Sequence, residues 1–305
     1  MYKHTGPQLD FGVEVSSVET QEPLRLVRST LFEGAALPVL QALPTESVRC
    51  VVTSPPYWGL RDYGIQGQIG LEATLPQFLN QLVRIFAEVK RVLTSDGTLW
   101  LNIGDGYTSG NRGYRASDRK NPARAMSTRP PTPDGLKPKD LMGVPWRLAF
   151  ALQDDGWFLR SDVVWNKPNA MPESVKDRPI RSHEYLFMFT KSARYHYDYE
   201  AVKEPADCGI GKRGRRSVWN INTKAFAGAH FATFPPELIR PCILASSLPG
   251  DFVLDPFFGS GTVGLVSQQE NRQYIGIELN PEYVQMAASR LQGLSSNVLR
   301  LTANG

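Results

Sequence analysis

The sequence predicts an α/β fold with a doubly wound, mostly parallel sheet, in one domain over residues 1–305. Residues 252–291 follow the order strand, glycine loop, helix, strand, helix, which is one half of such a sheet. A β-branched apolar run at residues 47–53 ends in two prolines, which stop a buried strand. An amphipathic stretch at residues 75–93 then supplies a helix, and a strand follows it.

The remaining elements follow from the same spacing rules. Apolar residues recur at helical spacing in the helices, and short apolar runs bounded by turn residues mark the strands. In chain order we predict strand 47–53, helix 75–93, strand 98–103, helix 144–153, strands 162–165 and 185–190, helix 235–244, strand 252–255, helix 263–269, strand 273–278 and helix 281–291.

Two segments lack apolar periodicity and are rich in glycine and basic residues. The segment at about 104–140 consists mostly of Gly, Ser, Asn, Pro and Arg, and this composition predicts a mobile basic loop. Residues 203–216 form a second basic, glycine-containing loop.

Composition and charge narrow the class of protein. The chain has 41% hydrophobic residues and a formal net charge of +4, which suits a globular protein with a polyanionic partner. Its three cysteines lie far apart, so the sequence predicts neither a disulfide framework nor a metal site. We find no apolar signal core and no run of eighteen apolar residues, so we expect a cytoplasmic protein that does not contact the membrane.

The glycine loop after the strand at 252–255 has the features of a nucleotide-like ligand site. Gly259 and Gly261 allow close approach of the backbone, and Asp255 can organise the loop. Glu278 ends the next strand, where a carboxylate can accept hydrogen bonds from ribose hydroxyls. The loop is neither a Walker loop nor GxGxxG, so phosphate binding is not indicated. A lone GxG would indicate only a tight turn, but its acidic neighbours favour a ligand.

The SPPY segment at residues 54–57 offers acceptors for an amino group. Two consecutive prolines fix the backbone and leave carbonyl groups that need donors. The Ser54 hydroxyl and the Pro55 carbonyl could accept the hydrogens of an exocyclic amine while its nitrogen attacks a methyl group. Tyr57 would stack on a base that has left the duplex. The structural alternative is a rigid proline turn with a packed tyrosine.

TSPPY at 53–57 and DPFFGSGT at 255–262 together resemble the two signature motifs of the DNA amino-methyltransferases. The catalytic motif comes first and the cofactor motif last, as in the permuted beta class, and the resemblance spans about residues 31–291. It implies the S-adenosylmethionine-dependent methyltransferase fold with inserted target-recognition loops. It also implies S-adenosyl-L-methionine as cofactor and double-stranded DNA as substrate. Ser54, rather than aspartate, favours N4 of cytosine, with N6 of adenine as the alternative.

The resemblance assigns roles to individual residues. The catalytic residues would be Ser54, Pro55, Pro56 and Tyr57. The cofactor-binding residues would be Glu33, Thr53, Phe234, Asp255, Pro256, Phe257, Gly259, Ser260, Gly261, Thr262 and Glu278. The sequence departs from the family at Glu33, where aspartate after glycine is commoner, and at Val263, where a second threonine is usual.

A DNA substrate gives the basic loops an expected role. Residues of about 166–217 are predicted to be inserted for DNA recognition, and arginines there could contact phosphates or guanine edges. The candidate DNA-binding residues are Arg112, Arg115, Arg119, Lys120, Arg124, Lys212, Arg213, Arg215 and Arg216. The expected protein partners are a cognate restriction endonuclease and, in a homodimer, a second copy of this chain. The expected location is the cytoplasm, in association with the nucleoid.

The sequence allows four alternative interpretations. Pro241-Cys242 resembles the nucleophile of cytosine C5 methyltransferases, but it lies in an apparent helix, so Cys242 is predicted to be a small buried residue. His183-Glu184 lacks the second histidine of a zinc helix. Protein-glutamine and ribosomal RNA methyltransferases share the proline-proline-tyrosine loop but place the cofactor motif before it. A catalytically inactive DNA-binding module would keep the fold without the chemistry.

Overall fold

A computed structural model describes residues 15–19, 26–109, 130–224, 234–291 and 297–302. Its strands are β1 (Val15–Glu19), β2 (Thr30–Glu33), β3 (Val48–Thr53), β4 (Leu93–Ile103), β5 (Phe158–Asn166), β6 (His183–Thr190), β7 (Glu204–Pro205), β8 (Lys212–Arg213), β9 (Val218–Asn220), β10 (Phe252–Asp255), β11 (Gln273–Glu278) and β12 (Asn297–Thr302). Its helices are α1 (Ala36–Ala42), α2 (Leu75–Val92), α3 (Val144–Asp154), α4 (Pro236–Ser246), α5 (Thr262–Gln269) and α6 (Pro281–Leu291).

Ten of the described strands form one sheet in the order β1-β12-β2-β11-β10-β3-β4-β6-β5-β9. Within it, β6 runs antiparallel to both of its neighbours, and the other pairings are parallel. Strands β7 and β8 form a separate two-stranded hairpin. The sheet is therefore mostly parallel, as predicted.

Helices cover both faces of the sheet. One buried cluster joins α1, α2 and α3 to the sheet and contains Phe78, Phe86 and Leu148. The other joins α4, α5 and α6 to the opposite face and contains Ile239, Val263 and Ala287. This double layer is what the alternation of strands and helices predicted, because each apolar sheet face needs a cover.

Strand register brings the ends of β3, β10, β11 and β2 to one edge. Leu254 is paired with Val51 on one side and Ile275 on the other, while Glu278 is paired with Glu33. Because parallel strands point the same way, the loops that follow them meet at the carboxyl edge of the sheet. The glycine loop and the SPPY segment therefore lie side by side.

Local signals explain several elements at residue level. Helix α2 begins with a capping box in which the Thr74 hydroxyl accepts from the Gln77 amide, and Pro76 lies in its first turn. The predicted bounds of β11 and α6 match the structure, and those of β3 and α2 differ by one residue. Strand β2, helix α1 and strand β9 were not predicted, since each is short and carries little periodic pattern.

The predictions for three segments need correction where residues are described. The insertion predicted at about 166–217 contains β6, which pairs with β4 and β5 inside the sheet, so 183–190 belongs to the core. Residues 203–216 include the β7–β8 hairpin. In the loop predicted at about 104–140, an isolated antiparallel β-bridge joins Tyr107 to Leu141. Residues 110–129 of this loop lie outside the described part of the chain.

Two kinds of feature are absent from the described residues. No helix in that part of the chain is long and apolar enough to cross a bilayer. Within the same residues, no group of histidine, cysteine, aspartate and glutamate side chains is arranged to hold a metal ion.

Candidate active site

The glycine loop after β10 adopts a conformation that requires glycine. Gly259 and Gly261 have φ values of +52° and +79°, in the left-handed region that side chains with a Cβ rarely adopt. A Cβ added at Gly261 would lie 3.1 Å from the Ala287 Cβ, so this glycine also permits close packing against α6. A Cβ at Gly259 would meet no described atom within 4 Å, which leaves its backbone open to a ligand.

Glu278 closes the same loop from the end of β11. Its carboxylate accepts hydrogen bonds from the Gly259 amide at 2.8 Å and the Asn280 amide at 2.7 Å. Burial raises the pKa of this carboxyl above its usual value, and the backbone amides of Asn280, Gly259 and Leu279 oppose that shift. A carboxylate has about four lone-pair positions, so the amides bound to it still leave acceptor capacity for a ribose hydroxyl.

Asp255 joins the glycine loop to the SPPY strand. Its side chain is 1% exposed, and Oδ1 accepts from the Thr53 hydroxyl at 2.6 Å and from the Phe257 amide at 3.0 Å. Burial raises the pKa of Asp255 to about 7, against the lowering effect of the Thr53 hydrogen bond. Thr53 and Asp255 therefore act as a buried bridge between β3 and β10, and this role needs no ligand.

The predicted cofactor residues divide into those with free surface and those engaged inside the protein. Phe257 and Phe234 are partly exposed, so their rings are available to a ligand, whereas Pro256 is buried. Ser260 and Thr262 are buried, and both accept hydrogen bonds from the Arg290 guanidinium. Those two side chains thus brace the loop against α6.

Glu33 lies beside Glu278 at the same edge but already has a partner. Its carboxylate forms an ion pair with Arg300 from β12, and its side chain is 10% exposed. A cofactor contact by Glu33 would have to share the carboxylate with this guanidinium. Apart from Phe234, which lies just before α4, the predicted cofactor residues lie at the ends of β2, β3, β10 and β11 or in the glycine loop and the start of α5 that follow β10.

The SPPY segment begins where β3 ends. Ser54 is partly exposed and Pro55 is buried. The Tyr57 hydroxyl donates to Glu184 Oε2 at 2.9 Å. Burial raises the pKa of Tyr57 well above its usual value, and the Glu184 charge raises it further. The phenol is therefore neutral and acts as a hydrogen-bond donor.

The segment after Tyr57 fixes the position of the tyrosine. The Gly59 amide donates to the Gly70 carbonyl at 2.8 Å, and the Trp58 indole donates to the Glu72 carbonyl at 2.9 Å. The Tyr57 ring packs so close to Gly104 that a Cβ there would lie 2.7 Å from its Cε2 atom. Glycine at 104 is therefore required for this position of the ring.

Three residues of this site were missed by sequence reasoning. Glu184, Lys167 and Asn102 meet beside Tyr57, with Lys167 Nζ 2.5 Å and Asn102 Nδ2 3.2 Å from the Glu184 carboxylate. The sequence does contain a signal for these three residues, because each is a polar residue at or next to the end of a strand. The pair His183-Glu184 was considered only as a metal motif, and the contacts of Glu184 lie far away in sequence.

Only the second of the two predicted basic clusters lies within the described residues. Arg112, Arg115, Arg119, Lys120 and Arg124 lie outside the described residues. Arg213 pairs with Glu204 and Asp207 in the hairpin, and Arg216 also contacts Asp207. Part of the charge of this cluster is thus neutralised within it.

Two members of the second cluster are less neutralised. Arg215 packs over the Trp219 ring, with its guanidinium carbon 4.5 Å from the ring centroid. Lys212 is exposed. It is therefore the member of the cluster most available to a phosphate.

Cys242 has none of the features of a nucleophile. It is fully buried within α4, as predicted, and its thiol donates to the Leu238 carbonyl. Burial raises the pKa of the thiol well above its usual value, so a thiolate is disfavoured.

These observations define a class of protein. A ligand loop and an amine-accepting loop lie side by side at the carboxyl edge of a doubly wound sheet, an arrangement that suits group transfer between a nucleotide-like donor and an amine. The family described as DNA methylase, which comprises N6 and N4 enzymes, matches residues 48–289. The chain belongs to this family and is a DNA methyltransferase.

Similar proteins support this assignment along the whole chain. The Type II methyltransferase M.XycI of Xanthomonas campestris pv. cyanopsidis is 78% identical over 95% of this chain and 96% of its own length. M.Cfr9I of Citrobacter freundii is 74% identical over 95% of this chain and 97% of its own.

Solved structures show the same fold. The PvuII cytosine-N4-specific DNA methyltransferase has a TM-score of 0.65 at 22% identity, with 94% of this chain and 91% of the other covered. A putative DNA modification methylase from Thermus thermophilus, solved with S-adenosyl-L-methionine, has a TM-score of 0.60 at 26% identity, with 89% and 99% covered. The fold is that of the S-adenosylmethionine-dependent DNA methyltransferases, as predicted.

Proposed function

We propose that the chain transfers a methyl group from S-adenosyl-L-methionine to the exocyclic N4 of a flipped cytosine at a specific site in duplex DNA. The observation that carries the proposal is the bridge between Thr53 and Asp255, 2.6 Å long, which fixes the two loops next to each other. A donor held on one loop and an amine held on the other would then meet at the carboxyl edge. Such fixed proximity is a large part of what group transfer requires.

The glycine loop fits the methyl donor. Gly259 presents open backbone, Glu278 offers a buried carboxylate to ribose hydroxyls, and Phe257 offers a partly exposed ring. When bound, the cofactor supplies an electrophilic methyl group on a sulfonium. The relative from Thermus thermophilus, solved with this cofactor, supports the choice of donor.

The SPPY loop fits the acceptor amine. An amino group conjugated with a base ring is a weak nucleophile, and hydrogen bonds from it to Ser54 Oγ and to the Pro55 carbonyl would concentrate electron density on its nitrogen. The base must leave the duplex for its amine to reach this loop, and stacking on Tyr57 would stabilise it by about 1–3 kcal/mol. No covalent intermediate with the protein is needed: the bond from nitrogen to the methyl carbon would form as the bond from that carbon to sulfur breaks, and the extra proton on nitrogen would then pass to solvent or a nearby acceptor.

The choice of cytosine rests on Ser54, which in this family usually accompanies N4 chemistry. Nucleoside mass spectrometry of DNA from a methylation-deficient host that expresses the chain tests it directly. We expect N4-methylcytosine with the intact protein and none with Ser54→Ala. N6-methyladenine would overturn the choice of base while keeping the reaction class. The absence of any modified base would favour an inactive DNA-binding module.

We also propose that the chain works with a restriction endonuclease of the same site specificity, in the cytoplasm at the nucleoid. The support is that its relatives carry the name Type II methyltransferase. Cleavage of unmodified host DNA by the companion enzyme, and its protection on expression of this chain, would test the pairing.

A further inference from the structure

The loop at residues 167–182, which joins β5 to β6, stands above the SPPY segment at the carboxyl edge of the sheet. In the sheet register, Thr53 at the end of β3 is level with Asp162 of β5, through the paired residues of β4 and β6. Strand β5 then continues for four more residues to Asn166, a rise of about 13 Å at about 3.3 Å per residue. A duplex whose base enters the SPPY loop would therefore lie against the loop at 167–182.

The first residues of this loop are held on two sides. Lys167 forms an ion pair with Glu184 at 2.5 Å, and the same carboxylate accepts from the Tyr57 hydroxyl at 2.9 Å. Two residues further on, Asn169 Nδ2 donates to the Thr223 carbonyl at 2.9 Å, and its Oδ1 accepts from the Thr223 amide at 2.8 Å. The loop is thus fixed both to the neighbour of Tyr57 and to the segment that follows β9.

Met171 follows this braced segment as an apolar side chain that is 82% exposed. The Ala170 amide donates to the Lys167 carbonyl at 2.9 Å, which closes a tight turn and keeps the Met171 Cα within about 11 Å of the Lys167 Cα. Pro172 restricts the Met171 backbone to an extended conformation. Single exposed apolar residues are common on protein surfaces. This one differs because a rigid turn presents it beside the SPPY loop, on the side that a duplex would approach.

The charge of the same loop suits a nucleic acid. Residues 167–182 include four basic and two acidic side chains. Lys176 is exposed and forms no ion pair with any of the described residues. Proteins that kink or open DNA combine cations that contact phosphates with an apolar side chain that enters the base stack, and methionine is one of the residues used.

We propose that Met171 is a wedge that enters the base stack of the DNA and fills the gap left by the flipped base. The inference rests on the proposed function, because a gap exists only where a base leaves the duplex for the SPPY loop. Unstacking a base is unfavourable, and an apolar side chain that takes its place offsets part of that cost by burying its own surface. Met171 therefore shifts the equilibrium toward the flipped base and takes no part in methyl transfer itself.

The test uses a short duplex that contains the methylated site, which is located by sequencing DNA modified in an expression host. Single-turnover rates at saturating DNA and cofactor are compared on the paired duplex and on one in which the target base faces a mismatch. We expect Met171→Ala to lower the rate on the paired duplex by about 10- to 100-fold, as the loss of a buried methionine contact implies. A mismatched base leaves the stack easily, so on that duplex the rate should fall by no more than about 3-fold.

Two further measurements separate flipping from other effects. The fluorescence of 2-aminopurine at the target position reports unstacking without methyl transfer, and it should rise less with Met171→Ala than with wild type. Met171→Leu keeps most of the apolar volume and should restore most of the rate. Leu248→Ala is the matched control, because Leu248 is 48% exposed in the turn before β10, at the opposite edge of the sheet, and this variant should leave the rate unchanged.

Several results would overturn the inference. An unchanged rate in Met171→Ala, or equal losses on the paired and mismatched duplexes, would remove the wedge while the active wild type keeps the proposed function. A wild-type dimer that dissociates in Met171→Ala, measured by sedimentation, would assign the side chain to contact between two copies instead. A wild-type protein that transfers no methyl group to DNA would show that the proposed function has failed, and the wedge would fall with it.

Discussion

Replacing Asp255 by asparagine removes a buried carboxyl group whose pKa lies at about 7, compared with an ordinary value of 3.8. Between these two values the unfolded chain loses the proton while the folded chain retains it. The unfolded state therefore binds fewer protons, and the free energy of unfolding falls as the pH rises. Below 3.8 the full stability is present, and it is lost as the pH passes through about 7.

The size of this effect follows from the shift. A difference of about three pH units corresponds to roughly 4 kcal/mol, and more than half of it falls between about pH 5 and pH 8. Asparagine keeps a carbonyl oxygen to accept from Thr53 and Phe257, so Asp255→Asn retains both hydrogen bonds and loses only the titration. The neighbouring Glu278, whose pKa is also raised, titrates in both proteins and largely cancels in the comparison.

Urea unfolding at several pH values, followed by circular dichroism, measures the difference. We expect Asp255→Asn to gain stability relative to wild type as the pH rises from about 5 to about 8. Equal pH slopes in the two proteins would refute the buried, protonatable carboxyl and with it this account of the bridge between β3 and β10.

Three further predictions concern the site and its surroundings. Glu278→Ala should raise the S-adenosyl-L-methionine Kd by about 10- to 150-fold in calorimetry, because ribose hydroxyls lose a charged acceptor worth about 1.5–3 kcal/mol; an unchanged Kd would remove Glu278 from the cofactor site. Gly261→Ala should destabilise the protein more than Gly135→Ala, since both glycines have φ near +79° but only Gly261 is packed against a neighbouring helix, and thermal unfolding would reveal the difference. Lys212→Ala should reduce the slope of log Kd for DNA against log salt by about 1, whereas Arg213→Ala, already paired within its hairpin, should change it less. Equal slopes for these two variants would contradict the assignment.

The sequence by itself determined the parts of this protein that depend on neighbouring residues. The glycine loop at 255–262 and the SPPY segment could be recognised because a few adjacent residues carry their chemistry. Helices α2 and α6 could be placed because an amphipathic helix repeats its apolar face every three or four residues. The parallel sheet followed from the alternation of strands and helices. The resemblance to the family followed from the residues of two motifs, and the order of the motifs indicated the permuted beta class.

Only the tertiary structure decided which distant residues meet. It placed β6, a strand predicted at 185–190 within the segment assigned to DNA recognition, antiparallel between β4 and β5 in the sheet. It brought Glu184 to Tyr57 across 127 positions and Thr53 to Asp255 across 202. It also paired Arg213 with acidic neighbours in a hairpin, where the sequence predicts a basic, glycine-containing loop. The physical reason is that strand order and side-chain pairing depend on how separate elements pack, and such long-range contacts leave no periodic pattern in the local sequence.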